Sequence, residues 1–153
     1  MIMYQPGLKG VIAVETELSN IDGAQGILTY RGTEIQTIIQ DYSFEEIAYF
    51  LLHGKNPLDT EFQAFQENLK RYRIMPAYLQ QIIDQLPEDQ SMMDVLRTAI
   101  SAVSTQESAM YDNAVQLIAI TPTIIAYRFN QLRKKPVITP NDNLDHVANF
   151  MIK

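Results

Sequence analysis

Residues 111–132, YDNAVQLIAITPTIIAYRFNQL, decide the fold of this chain because they predict a helix with almost no polar face. Apolar side chains point in nearly every direction around its axis: Ala114, Val115, Leu117, Ile118, Ala119, Ile120, Ile124, Ile125 and Ala126. A helix that is apolar all round is buried all round, and Pro122 is expected to kink it. A chain of 153 residues has difficulty surrounding such a helix, so we expect a partner subunit or further polypeptide around it.

Amphipathic helices are predicted on both sides of this segment. Ser43-Phe44-Glu45-Glu46 reads as a capping box, and apolar residues at helical spacing follow it until Gly54 ends the helix. We interpret Glu45 and Glu46 as capping residues and not as a catalytic pair. Further helices are predicted from Asp59, over residues 77–86, over residues 93–105 and from Leu144.

Strands are predicted only near the N-terminus. Residues 11–16 and 27–30 are rich in β-branched and aromatic side chains, and turn-forming residues separate them. This pattern predicts an antiparallel hairpin with a longer loop. Residues 1–153 are therefore predicted to form a single, mainly α-helical domain with a small N-terminal antiparallel β element.

Composition excludes several classes of protein. The absence of cysteine excludes disulfides and thiolate metal sites, and a net charge of -6 argues against nucleic acid as a partner. No apolar run is long enough to span a membrane, and the N-terminus lacks the pattern of a signal peptide. We therefore expect a cytoplasmic protein. The basic clusters at residues 70–73 and 133–135 are interpreted as solvated helix ends.

Local motifs predict no catalytic residue and no metal ligand. The two histidines, His53 and His146, lack metal-ligand partners at helical spacing, and we interpret both as structural. Nucleophile-elbow, P-loop and dinucleotide-binding glycine motifs do not occur. Arg31 is the one binding candidate: it precedes Gly32 at a strand exit, where its guanidinium is open to an anion. A surface ion pair is the alternative for Arg31.

Five segments, in this order, resemble the citrate synthase and 2-methylcitrate synthase family, with the shorter bacterial form as the nearest match. They are GLKGVIAVETELSNIDGAQGILTYRG, SFEEIAYFLLHGKNP, MMDVLRTAISAV, AITPTIIAYRF and LDHVANFMI. The resemblance implies an all-helical large domain with a small N-terminal β element. It also implies condensation of acetyl-CoA or propionyl-CoA with oxaloacetate, without a metal or a resident cofactor.

The resemblance places the catalytic residues of the family outside this chain. The family's catalytic histidines and aspartate follow the helix that resembles HVANF, which lies at residues 146–150 here. His53 and His146 match family positions that are not catalytic. We therefore expect an N-terminal portion of the enzyme that is inactive alone, and the choice between the acetyl and propionyl groups stays open.

Two further expectations come from the resemblance. Arg31 matches a segment in which the arginine contributes to binding a coenzyme A phosphate. The helices near residues 93–105 and 111–132 match two that form a helical dimer interface, so a homodimer is expected. One alternative is a noncatalytic helical dimerisation or regulatory module. Another is an unrelated activity that uses His53, His146 or Arg31.

Overall fold

A small sheet followed by helices makes up the fold. The computed structural model describes residue 7, residues 10–12 and residues 14–152. Ten elements occur among these residues: β1 (Ser19–Asp22), β2 (Ile27–Tyr30), β3 (Thr33–Glu34), α1 (Ile35–Asp41), α2 (Phe44–His53), α3 (Asp59–Tyr72), α4 (Ala77–Asp84), α5 (Met92–Ala102), α6 (Met110–Leu132) and α7 (His146–Met151). The prediction of a mainly helical chain with a small antiparallel sheet is confirmed.

The sheet is antiparallel, with the strand order β1-β2-β3. The Asp22 carboxylate accepts the backbone N–H groups of Ala24 and Gln25 at 3.0 and 3.1 Å and closes the first turn. Because this turn is short, β2 pairs with the residues directly before the turn, Ser19–Asp22 of β1. The predicted strand at residues 11–16 is therefore wrong at residues 11–12 and 14–16, because the four positions of β2 are already paired. Residue 13 lies outside the described residues.

Local capping signals place both ends of α2 and the start of α5 as predicted. Ser43 Oγ accepts the Glu46 N–H at 3.2 Å, and the Glu46 carboxylate accepts the Ser43 N–H at 2.7 Å. Gly54 ends α2 in the left-handed conformation with φ 74°. Ser91 accepts the Asp94 N–H at 3.1 Å at the start of α5.

Helix α6 lies between two hydrophobic clusters and runs through Pro122 without interruption. Val115 and Ala119 pack with residues of α2 and α3, whereas Ile120 and Ile124 pack with residues of α4 and α5. The described residues cover α6 on only part of its circumference, as expected for a chain too short to surround it, and the partner subunit or further polypeptide on the open side stays a prediction. The open side of α6 carries a half-buried stripe that ends in Phe129, which is 43% exposed.

The C-terminal end of α6 offers a test of backbone strain. Lys134 has φ 55°, and its N–H donates to the Gln131 carbonyl at 3.0 Å. Lys134→Gly is expected to raise the free energy of unfolding by about 0.5–1 kcal/mol, because the left-handed region costs an L residue about 1 kcal/mol or more. Urea unfolding measures the change. Lys135→Gly is the matched control at a residue without positive φ, and an equal gain there would contradict this explanation.

Candidate functional site

Arg31, the predicted anion ligand, connects the sheet to α2. It follows β2 with φ 46°, and its backbone N–H donates to the Leu18 carbonyl at 3.1 Å. Its Nε and Nη2 donate to the Leu51 carbonyl at 2.9 and 2.7 Å. This oxygen belongs to the last turn of α2, where carbonyls lack helical partners and attract cations. Arg31 therefore caps α2, which neither sequence alternative described.

Gly54 makes this arrangement of Arg31 possible. A Cβ atom at Gly54 would lie 3.0 Å from Arg31 Nη1, closer than ordinary packing allows. The glycine therefore supplies both the left-handed backbone and the space for the guanidinium. The coenzyme A contact of Arg31 stays a prediction. Since two of the five guanidinium N–H groups are used on Leu51, others are left for an anion.

His53 forms an aromatic cluster where α2 meets the start of α6. Its ring stacks on Tyr49 with centroids 4.0 Å apart and lies 4.7 Å from the ring of Tyr111. Partial burial, with the nearby Lys55 charge, lowers the pKa of His53 below its usual value. The ring is therefore uncharged at neutral pH and packs as an aromatic group. A favourable charge interaction with the C-terminal end of α2 would instead require a protonated ring.

An ion pair spans the turn between α2 and α3, close to this cluster. Lys55 Nζ lies 2.7 Å from Glu61 Oε1, and Glu61 Oε2 accepts the Leu58 N–H at 3.0 Å. The hydrogen bond from Lys55, followed by the one from Leu58, lowers the pKa of Glu61 to about 2. Glu61 is therefore ionised at neutral pH and serves the start of α3, not proton transfer.

Glu45 is buried, so its interpretation as a capping residue is wrong. It is 6% exposed, and its Oε1 accepts the backbone N–H of His146 at 2.8 Å. Its Oε2 accepts Gln66 Nε2 at 2.5 Å. The His146 ring stacks on Phe44 with centroids 5.2 Å apart. Glu45 thus joins α2, α3 and the first residue of α7, and only Glu46 takes part in the capping box.

Arg73 donates hydrogen bonds to the segment that precedes α7, a role that the sequence did not predict. Its side chain is 1% exposed, so the solvated helix end predicted for residues 70–73 is wrong at Arg73, whereas Arg71 is exposed. Arg73 Nη2 donates to the Asn141 carbonyl at 2.7 Å, and Nη1 donates to the carbonyls of Leu144 and Asp145 at 3.1 and 3.4 Å. The acceptors are backbone groups about 70 residues away, and no side-chain pattern in the sequence marks them.

A second buried arginine, Arg128, fixes the end of α4 against α6. It is 1% exposed and donates to the carbonyls of Leu86 and Pro87. Nearby, the Tyr127 hydroxyl donates to Asp84 Oδ1 at 2.8 Å. Burial, with this hydrogen bond, raises the pKa of Tyr127 to about 12. The phenol therefore stays protonated and acts as a structural donor.

The described residues contain no constellation with evident acid–base chemistry. A cavity of about 140 Å³ lies between α4, α6 and residues 137–140, and no carboxylate, histidine or basic side chain lines it. No cluster of three or more His, Cys, Asp or Glu side chains suited to a metal ion occurs in the described ranges. Among the same residues, none of the helices combines the length and hydropathy needed to cross a membrane.

The fold defines a multi-helical protein in which one long helix separates two cores and a small sheet precedes the helices. The family model described as "Citrate synthase, C-terminal domain" matches residues 7–152. The chain belongs to the citrate synthase family. Its fold agrees with the crystal structure of citrate synthase from Thermotoga maritima with a TM-score of 0.86 at 34% identity, over 97% of this chain and 40% of that one.

Curated relatives give the same result. Citrate synthase from Synechocystis is 33% identical over 97% of this chain and 40% of its own length. Citrate/2-methylcitrate synthase from Bacillus subtilis is 31% identical over 97% of this chain and 42% of its own length. The chain therefore spans about 40% of the length of the curated relatives that it matches.

Proposed function

We propose that this chain is the N-terminal portion of a citrate synthase-type acyltransferase and that it is catalytically silent alone. In the parent reaction, the α-carbon of acetyl-CoA or propionyl-CoA loses a proton and forms a bond to the keto carbon of oxaloacetate, whose oxygen takes up a proton and becomes a hydroxyl. Hydrolysis of the thioester then releases the coenzyme A thiol. The observation that carries the proposal is a match over 97% of this chain to only 40% of a citrate synthase.

The surroundings of the two histidines support catalytic silence. General acid–base catalysis of enolisation requires groups within hydrogen-bond reach of the substrate. The His53 ring instead packs on Tyr49 and Tyr111, and His146 is 5% exposed against Phe44. Both histidines serve junctions between helices. The proposal assigns the catalytic histidines and aspartate to the part of the family sequence that this chain does not match.

A thiol-release assay tests the silence of the chain. The purified protein, with oxaloacetate and either acetyl-CoA or propionyl-CoA, is expected to release no thiol above the background rate. The complete Thermotoga maritima enzyme, assayed with the same substrates, is the positive control. Turnover by this chain comparable to that control would refute the proposal.

Arg31 is proposed as a contact for a coenzyme A phosphate. Its guanidinium is held in place by the Leu51 carbonyl, so an anion gains a charge-assisted hydrogen bond from a positioned donor. Such a bond contributes about 1.5–3 kcal/mol, so Arg31→Ala is expected to weaken coenzyme A binding about tenfold or more. Calorimetric titration measures the affinity, and circular dichroism confirms folding. Arg97→Ala is the control, and an equal loss there would contradict the assignment.

A noncatalytic dimerisation module is the second candidate function. The observation that favours it is the exposure of apolar side chains on α5 and α6, where Met93 is 71% and Met110 is 83% exposed. Under this proposal, two copies pair through these helices and remove the side chains from water. Sedimentation equilibrium is expected to show a dimer. A monomer at every concentration, without binding of a hydrophobic dye, would exclude this function.

A further inference from the structure

A cavity with a volume of about 140 Å³ lies where α4 and α6 meet residues 137–140. Its inner wall is buried, since Met75 is 7% and Ala126 6% exposed. At the rim, Ile74 and Val137 are 59% and 58% exposed, so the cavity opens towards solvent at these two side chains. A small molecule therefore has a path into the cavity.

Polar side chains in the wall of the cavity form hydrogen bonds within the chain. The Thr123 hydroxyl donates to the Arg73 carbonyl at 2.9 Å, and Gln80 Nε2 donates at 3.2 Å to the backbone carbonyl five residues before it. The Tyr127 hydroxyl donates to Asp84 Oδ1. An ordered water needs two to four polar partners, and these donors are already engaged. The cavity therefore suits an apolar molecule better than water.

The lining of the cavity also selects against charged ligands. None of the described side chains that line it is charged at neutral pH. An ionised group inside the cavity would lose its hydration without gaining an opposite charge, which is strongly unfavourable. Apolar residues supply most of the lining: Ile74, Met75, Ala126, Val137, Ile138 and Pro140. Carboxylates and phosphates are therefore excluded as ligands of this cavity.

The volume of the cavity indicates the size of its ligand. An engineered apolar cavity of about 150 Å³ in another protein stays dry and binds benzene. The cavity in this chain has a similar volume of about 140 Å³. We infer that it is a binding site for a small, neutral, apolar molecule of about the size of one aromatic ring. The inference does not depend on the proposed function, because it rests only on the volume and the lining of the cavity.

A bound ligand stabilises the segment between α6 and α7. Residues 137–140 form the outer wall of the cavity, and hydrogen bonds fix the chain on both sides of them. On one side, the Lys135 N–H donates to the Asn130 carbonyl at 2.9 Å. On the other, Arg73 Nη2 donates to the Asn141 carbonyl at 2.7 Å. Since the ligand adds apolar contacts between these two points, local opening of the wall becomes less frequent.

Benzene is the probe, and nuclear magnetic resonance of the intact chain tests the inference. Benzene is expected to shift the methyl signals of Thr123, Ala126 and Ile138 in a saturable manner and to leave those of Ile39, exposed on α1, unchanged. At a benzene concentration about ten times the dissociation constant, amide hydrogen exchange of residues 137–139 is expected to slow about tenfold. Benzoate, which adds a charge to the same ring, is expected to bind at least tenfold more weakly.

A cavity-filling variant supplies the second test. Ala126→Leu is expected to weaken benzene binding at least tenfold, because the added atoms occupy the volume of the ligand. Ala114→Leu is the matched control, since Ala114 lies earlier in the same helix and does not line the cavity. Circular dichroism confirms that both variants fold. The comparison of benzene with benzoate uses the unaltered chain, so it tests the site even where Ala126→Leu does not fold.

Three results would overturn the inference. The first is the absence of saturable shifts at the cavity methyl groups, or equal shifts at Ile39. The second is benzoate binding as tight as benzene binding, and the third is benzene binding that a folded Ala126→Leu variant leaves unchanged. These readouts are independent of turnover. Thiol release by this chain would count against the proposed function only.

Discussion

Arg73→Ala is expected to lower the free energy of unfolding by about 3–4 kcal/mol, because charge-assisted hydrogen bonds and buried side-chain volume are lost together. The guanidinium is 1% exposed and donates to three backbone carbonyls that precede or begin the turn into α7. Without it, residues 141–145 lose their attachment to α3. Urea unfolding followed by circular dichroism measures the change.

Arg97→Ala is the control for Arg73→Ala. The Arg97 side chain is 76% exposed and pairs with Asp94, three residues before it in α5. Exposed pairs of this kind contribute about 0–1 kcal/mol, so a small effect is expected. Arg73→Met retains most of the aliphatic volume but removes the hydrogen-bond donors. Its effect therefore separates the loss of the hydrogen bonds from the loss of buried volume. If Arg73→Ala lowers the free energy of unfolding no more than Arg97→Ala does, the hydrogen bonds from Arg73 to residues 141–145 do not stabilise the fold.

Phe65→Ala is expected to lower the free energy of unfolding by about 3–5 kcal/mol, the usual range for removing a buried aromatic ring. Phe65 is 2% exposed and meets the Tyr49 ring edge-on with centroids 5.6 Å apart. It belongs to the cluster in which α2 and α3 pack on Val115 and Ala119 of α6. The loss therefore combines the transfer of the ring to water with a cavity between three helices.

Urea unfolding also measures the effect of Phe65→Ala, and near-ultraviolet circular dichroism reports the packing of the tyrosine side chains, Tyr49 among them. Gln63→Ala is the control, since Gln63 is exposed on the same helix and alanine favours helix formation. It is expected to change stability by less than about 0.5 kcal/mol. Equal effects of the two substitutions would contradict the position of Phe65 in this core.

Glu45 and Glu46 show which side-chain contacts a local sequence pattern can predict and which it cannot. Both lie in the predicted capping box, and for Glu46 the prediction is confirmed, because its partner Ser43 is three residues away. Glu45 points in another direction around the helix, and its partners Gln66 and His146 are 21 and 101 residues away. No local pattern encodes such partners, so the burial of Glu45 was not predicted.

Arg31 and Arg73 illustrate the same limit for binding and structural sites. The Arg31-Gly32 sequence correctly indicated an arginine at a strand exit, but its acceptor, the Leu51 carbonyl, is 20 residues away. The acceptors of Arg73 are also backbone carbonyls. Every residue has a carbonyl, so the identity of the acceptor residue carries no signal. Only the approach of two chain segments selects it.

The amino-acid sequence alone determined the presence of helices α2 to α7 and the family, because these depend on side chains within a few residues and on the order of motifs. It did not predict α1 or β3. The sequence did indicate that α6 has too much apolar surface for a chain of 153 residues. The tertiary structure decided which side of α6 is covered, since α3, α5 and α7 each approach it from a different direction. The physical reason is that hydrophobic burial has no directional preference, so only the packed arrangement selects the side of α6 that stays open.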